Sequence, residues 1–539
     1  MLRSLLQAGE FDRLTSFFSL QYLALFLPLV VLAYGITPRK VRRYVLLFAS
    51  FGFFWLISRR FLVFLFMTIL SVWGFGLLLG HMNGLRDKEV KAAERPQRKA
   101  IKKKWQSRSR WVLGAAALLN IGTLLVLKYS HFFVTNVNAL FGTDFFAPYF
   151  LILPIGISFY TLQAVSYLFD VYRGLIPADR NLSRVALFIS FFPQIVEGPI
   201  CRYSQTADSL WEAKPITWEN LTLGIQRIGY GLMKKLVVAD RLNSLIEEVF
   251  SNYGSHHGGI IALAALCYTV QLYMDFSGAM DAVTGTAQIF GVTMPENFRQ
   301  PFFSKTISEF WSRWHISLGT WFKDYIFYPV TMSTPMKNLT TAARKRIGNH
   351  FGPLVAGSVA LFCVWFCNGL WHGAAWSYIF FGIYHFVLIL IGNLMAPAAK
   401  WFHATFRIQP ENRVFKGFQI LRTCVLVVIG ELFFRANTLT DGIAMFGKMV
   451  TDFRFAPIDP VVLFNLGLNA KDFWIVVITL AIVLAVSILK ERNVGIRQAL
   501  AKQPAAIRWI VFYALIFYII TFGAYGVGYI PVNPMYANF

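Results

Sequence analysis

The chain has 539 residues, of which 56% are hydrophobic and only 14% charged. A soluble chain of this length needs roughly a quarter of its residues charged to cover its surface, so the composition excludes an ordinary globular protein. The formal net charge of +24 would suit a nucleic-acid binder, but the basic residues gather in short stretches between apolar runs. That is the pattern of cytoplasmic loops lying against anionic lipid, and it excludes nucleic acid as a partner while predicting membrane lipids as one.

In chain order, apolar runs long enough to cross a bilayer are read at 18–37, 44–58, 61–82, 111–129, 148–170, 258–278, 352–370, 375–395, 417–435, 472–489 and 508–530. This predicts an all-α polytopic membrane protein with about 11 transmembrane helices. Glu10 and Asp12 precede the first run and no cleavage-site pattern follows, so that run is read as a retained span. The segment 83–110 carries eleven Lys or Arg against three acids and is read as a basic cytoplasmic loop. Arg39, Lys40, Arg42 and Arg43, then Lys337 and Arg344 to Arg346, then Lys400, Arg407, Arg413 and Lys416, then Lys490, Arg492 and Arg497 follow the same side. Placing all of them in the cytoplasm puts both termini outside the cell membrane. The whole is read as one membrane domain, with N-terminal helices over 1–147, a core over 148–436 and C-terminal helices over 437–539. Cys201, Cys267, Cys363, Cys367 and Cys424 have neither paired nor metal-like spacing, and no metal site is expected.

Between 171 and 351 the apolar pattern degrades, broken by Pro193, Gly198, Pro199, Gly231, Gly278 and Pro295. Irregular backbone is tolerated at membrane depth only where protein or a water-filled cavity covers it, so re-entrant or amphipathic helices around a central cavity are predicted here. No internal repeat of the transporter kind is visible.

The stretch Ser308 to Leu318 reads as one helix continuing through Trp321 toward Lys323, Asp324 and Tyr325. Trp311, Trp314, His315 and Leu318 share a face, and Glu309 and Arg313 lie four apart. A structural hydrogen-bonding role and a catalytic one both remain open for His315. His372 falls in the hinge of a predicted helical hairpin, after Asn368, Gly369 and Trp371 and before Gly373, among small residues that let other groups approach. An ionisable side chain in such a place marks either a satisfied core group or a functional site, and imidazole suits general-base work near neutral pH. Asp275 with Ser277, and Glu197 in a broken apolar stretch, add polar groups that shape the cavity; Glu431 and Arg435 are spaced to neutralise one another. No phosphate loop, zinc-protease helix, serine elbow or dinucleotide fingerprint is present.

Taken in order, Pro154-Ile155-Gly156-Ile157-Ser158-Phe159-Tyr160, Phe192-Pro193-Gln194, Gly198-Pro199-Ile200, Asp275-Phe276-Ser277-Gly278, Pro295-Glu296-Asn297-Phe298, Glu309-Phe310-Trp311 through Trp314-His315-Ile316-Ser317-Leu318, Trp321 to Asp324, Gly369-Leu370-Trp371-His372-Gly373 and Phe434-Arg435-Ala436 resemble the membrane-bound O-acyltransferase superfamily. The likeness is to its bacterial branch that serves alginate O-acetylation and D-alanyl transfer, and it covers roughly 150–436. It implies a ring of membrane helices around a central tunnel, His372 as the catalytic histidine and His315 as its companion. Asn368, Trp371, Trp314, Trp311, Asp275, Ser277, Glu197 and Asp324 are then tunnel-lining or substrate-facing candidates. It further implies an acyl thioester donor, acetyl-coenzyme A or an acyl-carrier phosphopantetheine, and a hydroxyl acceptor outside the inner membrane. Implied partners are an extracytoplasmic acetyltransferase or polysaccharide-modifying protein and a cytosolic acyl donor or carrier. The sequence departs from the branch at Thr331 to Asn338, where relatives carry a Gly-Gly-Asn-Arg-Lys type loop, and at Glu197, where a small residue is commoner. D-alanyl transfer to teichoic acid, and a transporter or flippase without chemistry, are the competing readings.

Overall fold

Length and apolarity decide most of this chain's structure before packing does. The computed structural model describes residues 17–143, 153–409, 411–455 and 460–525. Glu10, Asp12, the start of the span read at 148–170 and the end of that at 508–530 lie outside the described residues. Among the described residues nine helices are long and apolar enough to cross a membrane. They are Arg39–Ser58 (α2), Leu62–Ala92 (α3), Arg95–Phe141 (α4), Gly258–Ile289 (α7), Thr334–His372 (α10), Trp376–Leu394 (α11), Arg413–Arg435 (α12), Ala470–Glu491 (α13) and Ala505–Phe522 (α14). The other two predicted spans are shorter, as Gln21–Ile36 (α1) and Ile157–Arg173 (α5). Trp218–Leu232 (α6), Ile307–Arg313 (α8) and Ile316–Phe322 (α9) complete the elements used below. There is no strand among the described residues, only an isolated antiparallel bridge between Phe298 and Trp314. The protein is all-α and polytopic.

The described residues fall into two units, which cut across the three stretches read from the sequence. The first takes those up to Ile228 together with Ala279–Pro295; the second takes Gly229–Gly278 and those from Glu296 onward. In the first unit the segment read as a basic loop at 83–110 is helical instead. α3 and α4 run on as one hairpin, turning only at Ala93 and Glu94. At a rise of ~1.5 Å per residue, helices of 31 and 47 residues are about 46 and 70 Å long, against a hydrocarbon core of about 30 Å, so both continue into water. Lys, Arg, Gln and Ala are good helix formers, and Glu89 ties the extension together by accepting from Trp105 Nε1 and pairing with Lys104 at 3.3 Å. Hydropathy marks where a span ends, but it does not show where the helix ends.

The broken stretch around Pro193 also belongs to the first unit. It forms the short helices Leu182–Ser190 and Phe192–Ile195, and is buried from Val185 to Ile200. Two of its polar groups find partners in protein: Phe192 N donates to Ser50 Oγ at 3.0 Å and Gln194 Nε2 to the Phe188 carbonyl at 2.7 Å. Glu197 is buried here.

In the second unit α10 carries a kink at Gly348 and an exposed basic start, then enters the apolar run and ends at His372. α11 begins at Trp376 after a three-residue turn, so the predicted hairpin exists with His372 as its last helical residue on the first arm. The two arms cross with their backbones almost touching. A Cβ added at Gly382 would lie 2.3 Å from the Trp365 carbonyl oxygen, and one added at Gly369 would lie 2.5 Å from that of Tyr378. The small residues beside His372 therefore serve close helix packing, with the Tyr378 ring already filling the space at Gly373. Gly382→Val should push the arms apart at a cost of about 1–3 kcal/mol, the range for overpacking. A lowered melting temperature of the purified protein in detergent checks this, and an unchanged one would show that the crossing is loose.

Candidate active site

The chain breaks the predicted helix at the residue of greatest interest. Thr306 caps α8 by accepting from Glu309 N at 3.1 Å, and the Glu309 carboxylate turns back to accept from Lys305 N and to pair with Arg313 at 2.8 Å, as the four-residue spacing implied. α8 then stops at Arg313. Trp314 bridges to Phe298, Arg299 N donates to the Arg313 carbonyl at 2.9 Å, and His315 adopts left-handed backbone angles with φ 47°. α9 starts at the next residue. Asn297 holds its start from both ends, its carbonyl accepting from Ile316 N at 3.0 Å and its Oδ1 from Ser317 N at 2.9 Å. One continuous helix would have left Asn297 and Phe298 without these partners. A non-glycine residue held in left-handed backbone persists only where its surroundings over-determine it, and such residues cluster at functional sites.

Both histidines line one cavity of about 420 Å³. Ser308, Trp311, Trp314, His315 and Leu318 form one side, so the face expected of a single helix survives its break. Leu361, Val364, Trp365, Asn368 and His372 form the other, at the spacing of one face of α10, and Lys323 and Ile389 add to the rim. Around the rings the shell is aromatic. His315 meets Phe276 edge-on at 4.8 Å and Trp371 at 5.6 Å, while His372 meets Trp371 and Phe434 at 5.0 Å each and Phe381 at 6.1 Å. Trp371 thus touches both imidazoles from behind the cavity wall.

Asp275, Ser277 and Asp324 do not line this cavity, and Glu197 belongs to the other unit. Asp275 instead pairs with Lys235 at 2.8 Å, and Lys235 pairs with Asp240 at 2.9 Å, all three almost fully buried. Ser277 accepts from Lys234 Nζ at 2.8 Å. The two lysines come from a π-helical stretch, Met233–Ala239, that follows α6. They grip α7 on either side of Phe276, the ring packed on His315. Charges buried this deeply persist because they are paired and hydrogen-bonded. Glu431 and Arg435 do not pair: Arg435, half-exposed at the end of α12, reaches Glu247 at 2.5 Å, while Glu431 stays buried one turn earlier. The sequence reading also missed Phe381 and His385, and had Phe434 only as part of the resemblance. Lys234, Lys235 and His385 were visible as ionisable residues inside apolar stretches; Phe381 carried no signal among 53 phenylalanines.

A model of the membrane-bound O-acyltransferase family matches residues 175–344. The probable alginate O-acetylase AlgI of Azotobacter vinelandii is 32% identical over 434 residues, covering 79% of this chain and 76% of that protein. The chain belongs to the membrane-bound O-acyltransferase family. The peptidoglycan O-acetyltransferase of Helicobacter pylori is 30% identical over 365 residues, 63% of this chain and 64% of its own length. The teichoic acid D-alanyltransferase of Bacillus subtilis is 32% identical over 293 residues, 53% of this chain and 70% of its own length. The family model contains His315 but stops short of His372, whereas a match over 79% of the chain cannot leave out its middle and contains both. Membership of this family makes the protein an O-acyltransferase and a multi-pass integral membrane protein, with the paired histidines in its second unit.

Asn297→Ala removes the side-chain acceptor of Ser317 N, a cap of about 1 kcal/mol, and frees the His315 backbone to leave the left-handed region. Acyl transfer should fall about tenfold with little loss of folded protein in the membrane. Wild-type transfer by this variant would show that the turn at His315 needs no clamp.

Proposed function

We propose that this O-acyltransferase moves an acetyl group from a cytoplasmic thioester to a hydroxyl on the outer side of the bacterial inner membrane, in the O-acetylation of an exported polysaccharide. The observation that carries the reading is the meeting of His315 and His372, from separate helices, on one largely apolar cavity. In such a setting water is scarce and electrostatic contacts with a reacting group are strong. His372 takes the proton of the acceptor hydroxyl as its oxygen attacks the thioester carbonyl. The carbon–sulfur bond then breaks, and the proton passes from the imidazolium to the departing thiolate. Asn368, one turn before His372 on the same face, offers an amide N–H to the oxyanion, and His315 orients acceptor or donor from across the cavity.

The relatives' names support the substrate class: alginate and peptidoglycan are both polymers that receive O-acetyl groups. The wider coverage by the alginate O-acetylases favours acetyl over D-alanyl transfer. Acetyl-coenzyme A or an acyl-carrier phosphopantetheine supplies the thioester, and an extracytoplasmic polysaccharide-modifying protein receives or shares the acetyl group. The basic stretches, the α3–α4 extension included, lie in the cytoplasm and both termini outside, by the bias of Lys and Arg.

His372→Ala should lower O-acetylation of the cell's polysaccharide by at least about a hundredfold, the lower range for loss of a general base, with the protein still present in the membrane. Normal acetyl content in that strain would sink the mechanism. His315→Ala should reduce the rate of transfer from thioester in isolated membranes by about tenfold or more. An unchanged rate would leave His315 with a packing role alone.

A further inference from the structure

His385 lies within α11, fully buried, and the chemistry above gives it no task. Its Nδ1 lies 3.2 Å from Trp311 Nε1. An indole nitrogen only donates, so Nδ1 is the acceptor and the imidazole hydrogen sits on Nε2. That nitrogen has no hydrogen-bond partner among the described residues. It faces the backbone of α12, where a Cβ added at Gly430 would stand 2.8 Å from it. An unpaired buried N–H is unfavourable, yet this arrangement keeps Nδ1 turned toward Trp311. The ring has no room to rotate, being packed against Phe381 at 4.6 Å and Trp365 at 5.4 Å. Trp311 in turn meets Trp365 edge-on at 4.8 Å. Both indoles line the cavity, and His385 stands behind them.

We propose that His385 is a positioning residue for the acyl donor: it fixes the Trp311 indole against Trp365 as a rigid wall of the cavity, and Gly430 leaves it the space to do so. This rests on the reading that the cavity receives a thioester. The cavity follows α10 from Leu361 to His372, and Trp365 stands seven residues before His372, about 10 Å along the axis at ~1.5 Å per residue. A two-carbon acetyl group at His372 does not reach that wall, whereas the arm behind its thioester does. The wall therefore acts on how tightly the donor is held, not on the bond-making step.

The test is the acetyl-coenzyme A dependence of the melting temperature of the full-length protein in nanodiscs, which yields a dissociation constant because a ligand that binds only the folded state stabilises it by mass action. His385→Leu and Trp311→Phe should each weaken binding about tenfold. His385→Asn, whose Oδ1 replaces Nδ1 as acceptor, should restore it to within about threefold. The double variant should bind no more weakly than either single, because both remove the same contact. Gly430→Ala, which crowds Nε2, should behave as His385→Leu does. Trp311→Phe removes only the donor nitrogen and part of a ring, and keeps the test alive if His385→Leu fails to fold. Unchanged affinity in the single variants, or losses that add in the double, would overturn the wall while leaving the donor reading intact. No stabilisation of the wild type by either acetyl-coenzyme A or an acetylated carrier phosphopantetheine would overturn the donor reading itself, and the wall with it.

Discussion

Backbone amides and carbonyls cannot go without partners in the interior of a membrane protein, and the arrangement of the second unit follows from how this chain meets that demand where it leaves the helix. At Trp314 and His315 the intrahelical ladder is interrupted. The strip from Asn297 to Arg299 supplies the missing bonds: a bridge to Trp314, a carbonyl for Ile316, a side-chain oxygen for Ser317 and an amide for Arg313. With these bonds made, the interruption is stable enough to hold His315 in a backbone conformation that most residues avoid. The direction of its ring depends on that exchange of partners.

The opposite wall is set by a different constraint. α10 and α11 approach until glycine is the only residue that fits at their crossing, and this fixes the end of α10, where His372 sits, relative to the aromatic residues of α11 and α12. Behind His315, buried lysine–carboxylate pairs lock α7 so that Phe276 stays against the imidazole. Neither device touches the cavity. Both act by removing freedom from groups that do, which is what preorganisation of a site requires.

Much of this was legible in the residues. Nine of the predicted spans are helices of membrane-crossing length, the hairpin at His372 is where the small residues placed it, and the Glu309–Arg313 pair forms at its helical spacing. These are short-range matters, governed by hydropathy over one span or by neighbours within one turn. The failures share the opposite character. Asp275 looked like a cavity carboxylate because its partner, Lys235, lies 40 positions away in sequence. Glu431 and Arg435 looked like a pair because spacing alone did not reveal the rival, Glu247. The basic stretch at 83–110 looked like a loop because charge ends a span, although it does not end a helix.

For the two histidines the division is sharpest. The sequence by itself determined that the protein crosses the membrane many times, that its middle is irregular, that His372 stands in a setting where an ionisable group is costly, and that His315 shares a helix face with Trp311, Trp314 and Leu318. Hydropathy, periodicity and residue type are local properties, and they suffice for such statements. Only the tertiary structure decided that the two share one cavity, that the helix bearing His315 is broken by Asn297 and Phe298, and that Trp371 backs both rings. Those facts depend on contacts between residues far apart in the chain, where the free energy of burying an aromatic surface or completing a hydrogen bond is decided by which segments meet.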